Sequence, residues 1–310
     1  MKKIILQGHS TYDGAGVKLK RIFAHDHTKL TDPFLLLDHF GSDNPTDYVK
    51  GFPWHPHRGI ETVTYMLGGT VEHGDNIGNS GTIGKGDIQW MTAGGGVIHQ
   101  EMPQPSKEMM HGLQLWVNLP AKSKMMEPRY RGILENEVPV VKIPSGELRV
   151  IAGAYKNVNG PVQELVVDVK YLDVRLKKGA LLSHEAKTGY TSFCYVISGT
   201  GEVDDTKLEQ AHLILFTEAG GAPPAGAGGS FLQRDIPRLA ESIQTPAGAG
   251  GFLQRGNIHV KAIDDIHYIF VTGRQLKEPI AWGGPIVMNT QQELELAFRE
   301  LDEGTFIKKK

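Results

Sequence analysis

Trp54-His55-Pro56-His57-Arg58-Gly59-Ile60-Glu61-Thr62-Val63-Thr64-Tyr65 joins a His-x-His pair to a β-branched run through a glycine. Side chains on a strand alternate between its faces, so His55, His57 and Glu61 share parity and are expected to point inward together. Two imidazoles at i and i+2 can meet one cation without rearranging the backbone, and neutral imidazole suits Fe, Zn, Cu, Ni or Mn. A lone histidine is usually a packing residue. A His-x-His pair at the mouth of a glycine-bounded strand is harder to explain in that way.

A second pair follows in Gly94-Gly95-Gly96-Val97-Ile98-His99-Gln100-Glu101-Met102-Pro103, with His99 and Glu101 again at i and i+2. The three glycines let the backbone pass close to a site; they open no phosphate loop, since no G-x-x-x-x-G-K-[ST] or G-x-G-x-x-G pattern is present. The two pairs supply three histidines and one carboxylate. Three or four protein ligands on an octahedral metal leave positions open for O2, water or substrate, unlike a closed structural site. A carboxylate there lowers the charge of the site and can take a substrate proton.

Around these pairs the apolar runs are short and rich in β-branched or aromatic residues: 62–67, 113–117 and 192–197, several ending at glycine turns. Thirty-eight glycines punctuate the chain, and the pattern is that of an all-β sandwich or barrel. Strand 62–67 runs into Gly68-Gly69-Thr70-Val71-Glu72, and strand 192–197 into Ser198-Gly199-Thr200-Gly201-Glu202-Val203, which suggests a duplicated barrel with its boundary near 120–145. Thr290-Gln291-Gln292-Glu293 has capping-box spacing, with Leu294, Phe298 and Leu301 on one face of a short C-terminal helix. Residues 219–229 and 246–251 contain only Gly, Ala and Pro and flank a possible short helix, and AGAGGSFLQR (225–234) nearly repeats as AGAGGFLQR (247–255). This stretch reads as an insertion at about 219–256 in the hairpin loop between strands 211–217 and 258–262.

Thirty-three basic residues against 35 acidic ones leave the chain near neutral, which argues against direct nucleic-acid binding. The single cysteine, Cys194, excludes an internal disulfide and a cysteine metal site. There is no apolar run of about 18 residues and no signal-peptide core, so a soluble, cytoplasmic protein is expected. His73 is a candidate for the mouth of the pocket and His111 for its wall. Trp116 and the pairs Met109-Met110 and Met125-Met126 are read as packing residues.

His55 to Gly68, H-x-H-x3-E-x6-G, is similar to the first cupin motif; the second is partial, with Thr92 where a proline is usual. HPHRGIETVTY, GDIQWMTAGGGVIHQEMP and LQLWVNLPAKSKMMEPRY resemble the pirin branch of the cupins, as do residues 32–38 and 284–290. The resemblance implies two tandem cupin barrels: 1–135 with the metal, and 136–310 lacking metal ligands, since Gly179-Ala180-Leu181-Leu182-Ser183-His184-Glu185 has no His-x-His pair. It further implies metal ligands at His55, His57, His99 and Glu101, with Fe(2+) favoured over Mn, Ni, Cu, Co or Zn. Glu61 would then stand behind the ligands. The activity implied is iron-dependent quercetin 2,3-dioxygenase: Glu101 takes the flavonol proton, O2 opens the ring and carbon monoxide leaves. A monomer is expected. The alternative is an iron-dependent regulatory protein that binds a transcription factor or metabolic enzyme.

Overall fold

The computed structural model describes residues 2–106, 108–203, 205–217 and 256–308. Apart from Gly256, the expected insertion at 219–256 lies outside the described residues. Strands dominate, as the glycine-punctuated β-branched runs predict, and they form two barrels of the cupin type. Each barrel pairs a seven-stranded sheet with a four-stranded one.

Strand Ile60–Gly68 shows why these runs are continuous rather than alternating. Val63 and Tyr65 pack into a large apolar core shared with Phe193, Tyr195 and Val271 of the second barrel. Met66, on the opposite face, joins Val17, Val71 and Met110 inside the first barrel. A strand buried on both faces carries apolar residues on both, here with the buried polar residues Glu61, Thr62 and Thr64 among them. The two seven-stranded sheets therefore meet face to face, and the barrel interiors lie on their far sides.

The duplication is visible in strand order. In the first barrel, Phe52–His57, Val97–Pro103, Val71–Asp75 and Ser80–Ile83 lie side by side; in the second, Leu181–Glu185, Asn257–Ala262, Gly201–Val203 and Thr206–Leu208 do the same. Strand His212–Thr217 pairs with Tyr190–Ser198, whereas Asn257–Ala262 lies in the other sheet of its barrel. The expected hairpin between these two strands is thus incorrect. In this architecture the chain crosses between sheets at that point, as it does from Ile88–Thr92 to Val97–Pro103 in the first barrel.

The termini cross over. Strand Lys2–Gln7 pairs with His212–Thr217 in the second barrel, while the segment after Ala281 returns to the first barrel, where Arg58 bridges to Ile286. Helix Gln291–Asp302 has its capping box: Glu293 N donates to Thr290 Oγ1 (3.2 Å) and Thr290 N to Glu293 Oε2 (2.8 Å). Its buried stripe is Leu294 and Ala297, with Leu301 partly buried. Phe298 borders Gly283 beside Leu294, as expected for this face, but at its edge, where it is 38% exposed.

Candidate metal centre

His55 and His57 lie on strand Phe52–His57, and His99 and Glu101 on its neighbour Val97–Pro103. The register places His99 directly opposite His55 and Val97 opposite His57, with an irregularity between His99 and Glu101. Ligand nitrogens of His55, His57 and His99 lie within 4.8 Å of one another, and this is the one such group of three among the described residues. Glu101 falls outside that group. It lines the same cavity, with Oε1 3.0 Å from Thr64 Oγ1.

The protonation of the imidazoles follows from their outer partners. His55 Nδ1 is 2.8 Å from the Pro53 carbonyl and His57 Nδ1 is 3.1 Å from the Pro285 carbonyl. A carbonyl only accepts, so each Nδ1 carries a proton, and in the neutral ring that tautomer leaves Nε2 with the lone pair. These two Nε2 atoms are 3.0 Å apart, and His99 Nε2 is buried without a hydrogen-bond partner. Lone pairs that converge without a proton between them repel unless a cation sits among them. Two nitrogens bound side by side at about 2.1 Å to one metal are themselves about 3 Å apart. The residues present therefore fit a metal ion. Burial pushes His57 down to about 3 and lowers His99 strongly, so both rings are neutral near pH 7. Burial raises the carboxyl of Glu101, while His55 and the Thr64 hydroxyl pull it back down.

Glu61 does not share this site. Gly59, at φ +79°, ends one strand and starts the next, so parity is not carried from His57 to Glu61. Glu61 lies on the opposite face, where it accepts from Thr92 Oγ1 (2.5 Å) and Arg131 Nη2 (3.2 Å). The inward direction expected for it is wrong for that reason. His111 also faces away: it meets His39 at 2.6 Å between the barrels and forms no pocket wall. His73 stacks on Tyr130, whose hydroxyl is 2.7 Å from Nε2. Trp116, expected to be a packing residue, lines the cavity with its ring edge-on to His57 at 5.1 Å.

That cavity measures about 590 Å³ and runs from the histidines between Phe52, Trp116 and Trp282 to Arg21 and Asp38. Sequence reasoning missed Arg21, Asp38, Thr64 and Gln114, because only cross-strand register brings them to the site. In the second barrel the described interior is an apolar cluster that includes Leu172, Cys194, Ile258 and Phe270. There His184 is buried, stacked on Phe270 at 4.0 Å and 2.9 Å from the Tyr268 hydroxyl, and Ile258 stands opposite it in the register.

Two cupin barrels, the first with three imidazoles converging beside a cavity, define a bicupin whose candidate metal site, among the described residues, lies in the first barrel. The sequence profile of the family described as Pirin matches residues 16–117, and that of the Pirin C-terminal cupin domain matches residues 247–307. A Caulobacter vibrioides protein named Pirin-like protein is 37% identical over 305 residues, covering 97% of each chain. Human Pirin is 35% identical over 300 residues, covering 94% of this chain and 90% of its own. The crystal structure of a quercetin 2,3-dioxygenase from Acinetobacter baumannii superposes with a TM-score of 0.80 at 31% identity, covering 98% of this chain and 96% of that one. The chain belongs to the pirin family.

Proposed function

We propose that this chain is an iron-dependent dioxygenase that opens the flavonol ring of quercetin with O2 and releases carbon monoxide. The observation that carries the reading is the cavity of about 590 Å³ onto which His55, His57 and Glu101 open. Its volume suits a flat molecule of drug size, and Phe52, Trp116 and Trp282 offer aromatic walls. The similarity to the Acinetobacter quercetin 2,3-dioxygenase supports the same reading.

His55, His57, His99 and Glu101 would hold the metal, with Fe(2+) preferred and Mn, Ni, Cu, Co or Zn compatible with the same N and O donors. The metal supplies Lewis acidity and a template for flavonol and O2. The chain supplies the rest. Glu101 takes the proton of the flavonol 3-hydroxyl on a carboxylate oxygen, whose basicity burial raises. Thr64 holds Oε1, and the tryptophans keep water from the reacting ring. One flavonol and one O2 give one ring-opened ester acid and one CO, so no external reductant is needed.

The alternative, a regulatory protein whose iron only tunes a surface, gives the internal cavity no use. The test is an aerobic assay of the iron-loaded protein with quercetin, following carbon monoxide and loss of the flavonol absorbance, beside Glu101→Gln. Wild type should release carbon monoxide, and the variant should bind metal but turn over at least about 100-fold more slowly. A wild type that releases none overturns the activity. A variant at the wild-type rate overturns the role of Glu101 as base.

A further inference from the structure

The cavity wall carries one polar rung. Register pairs Arg21 with Asp38, Asp38 with Gln114, and Gln114 with Thr64, across four neighbouring strands of the seven-stranded sheet. All four residues line the cavity. The same-face rungs two residues away are apolar at most positions: Leu19, Phe40 and Met66 on one side, Leu36 and Trp116 on the other. The row is held by its own hydrogen bonds, Arg21 to Asp38 and Thr64 Oγ1 to Gln114 Oε1 (2.6 Å), so it is stable as a polar stripe in a largely apolar wall and offers its remaining acceptor sites to the cavity.

One end of the rung is the reaction centre, where Thr64 touches Glu101. The other end is an ion-paired set. Arg21 donates from Nε to Asp38 Oδ1 (2.9 Å), from Nη2 to Asp38 Oδ2 (2.7 Å) and from Nη2 to Asp13 Oδ2 (2.6 Å). Asp38 is 4% exposed. Asp38 and Thr64 are two strand spacings apart, about 10 Å, which is the span of a molecule of two or three linked aromatic rings. One guanidinium between two carboxylates leaves this end net negative. Each Asp38 oxygen, having accepted one hydrogen bond from Arg21, keeps a further acceptor site. Such an end attracts a neutral hydroxyl and repels a carboxylate, sulfate or phosphate.

We propose that Asp38, held by Arg21, determines specificity by accepting a hydrogen bond from a ring hydroxyl at the end of the substrate remote from Glu101, so that the pocket takes uncharged polyhydroxylated aromatics. This rests on the dioxygenase reading and adds how its substrate is chosen.

The experiment uses three flavonols that share the 3-hydroxyl and carry two, one or no hydroxyls on the pendant ring. Binding to the iron-loaded protein is followed without O2 by quenching of tryptophan fluorescence, and kcat/KM is then measured in air. In wild type, affinity should fall about tenfold or more from the dihydroxylated to the unsubstituted flavonol. A double variant, Arg21→Leu with Asp38→Leu, exchanges the ion pair for apolar residues, a change proteins often tolerate. It should bind all three within about threefold of one another and bind the unsubstituted one as wild type does. If wild type binds and opens all three alike, the specificity role is wrong whether or not the variant folds. If the variant keeps the wild-type preference, Asp38 is only a structural partner of Arg21 and the inference also falls. If no flavonol binds wild type, the dioxygenase reading itself fails and takes this inference with it.

Discussion

Replacing Lys124 with methionine tests how the strand that carries His55 and His57 is anchored. Lys124 is 2% exposed, and its Nζ donates to Asn118 Oδ1 (2.7 Å), Gly59 O (2.9 Å) and Val287 O (3.0 Å). Gly59 follows His57 by two residues, and Val287 follows Pro285, whose carbonyl fixes the His57 ring. The ammonium therefore joins both segments that position His57. Burial pushes it down to about 7, against an opposing pull from Glu278 and Glu293; in the unfolded chain it would titrate near 10.4. Between these values the unfolded chain binds more protons than the folded one, so folding stability rises with pH across the window. Each pH unit well inside it adds about 1.4 kcal/mol, and from about pH 7 to about pH 9.5 wild type should gain about 3 kcal/mol relative to the variant. Methionine does not titrate. It also leaves three oxygens without a donor, at about 1–3 kcal/mol for each that stays dry, a cost that does not vary with pH. Urea unfolding at several pH values measures both quantities. A gap between wild type and variant that is the same at both pH values would refute the reasoning, and would mean that three oxygens hold the ammonium charged throughout.

Two further substitutions probe the site from either side. His99→Ala removes one of three converging nitrogens, so saturating Fe(2+) or Ni(2+) should raise the unfolding midpoint of wild type but not of the variant; at 100 times the dissociation constant the wild-type gain is about 3 kcal/mol, and an equal gain in both would exclude His99 as a ligand. Gly59→Ala places a Cβ 1.9 Å from Val287 O at φ +79°, which should cost at least about 2 kcal/mol in urea unfolding and loosen metal binding as the Pro285 segment moves; a variant as stable as wild type would show that this turn has slack.

The ligand pairs are legible in the sequence because i, i+2 spacing is local chemistry that any strand preserves. Strand register adds what the spacing lacks, setting His99 opposite His55. Glu61 shows where local reasoning stops: its parity with His57 is sound along one strand, but Gly59 makes two strands of it. Asp38 is harder still to see. It sits within Leu35-Leu36-Leu37-Asp38-His39-Phe40, a run that reads as an apolar strand interrupted by two polar residues. Its partner Arg21 and its neighbours on the rung come from separate strands, so pairing alone reveals its purpose. The hairpin expected between 211–217 and 258–262 fails for a related reason: sequence neighbours in this barrel alternate between sheets. The capping box at Thr290 is read correctly, since two reciprocal hydrogen bonds between Thr290 and Glu293, within one turn, decide it without outside help.

The crossing of the termini has a consequence for how the pocket comes into being. All four candidate ligands precede residue 102, yet the carbonyl that fixes the tautomer of His57 belongs to Pro285, and Arg58 is gripped by Glu300 and the Phe306 carbonyl. A nascent chain emerging from the ribosome thus presents every donor atom long before the pocket can close around them. A product truncated before Pro285 would carry all four candidate donor residues yet lack the carbonyl that sets the His57 tautomer and the contacts that hold Arg58.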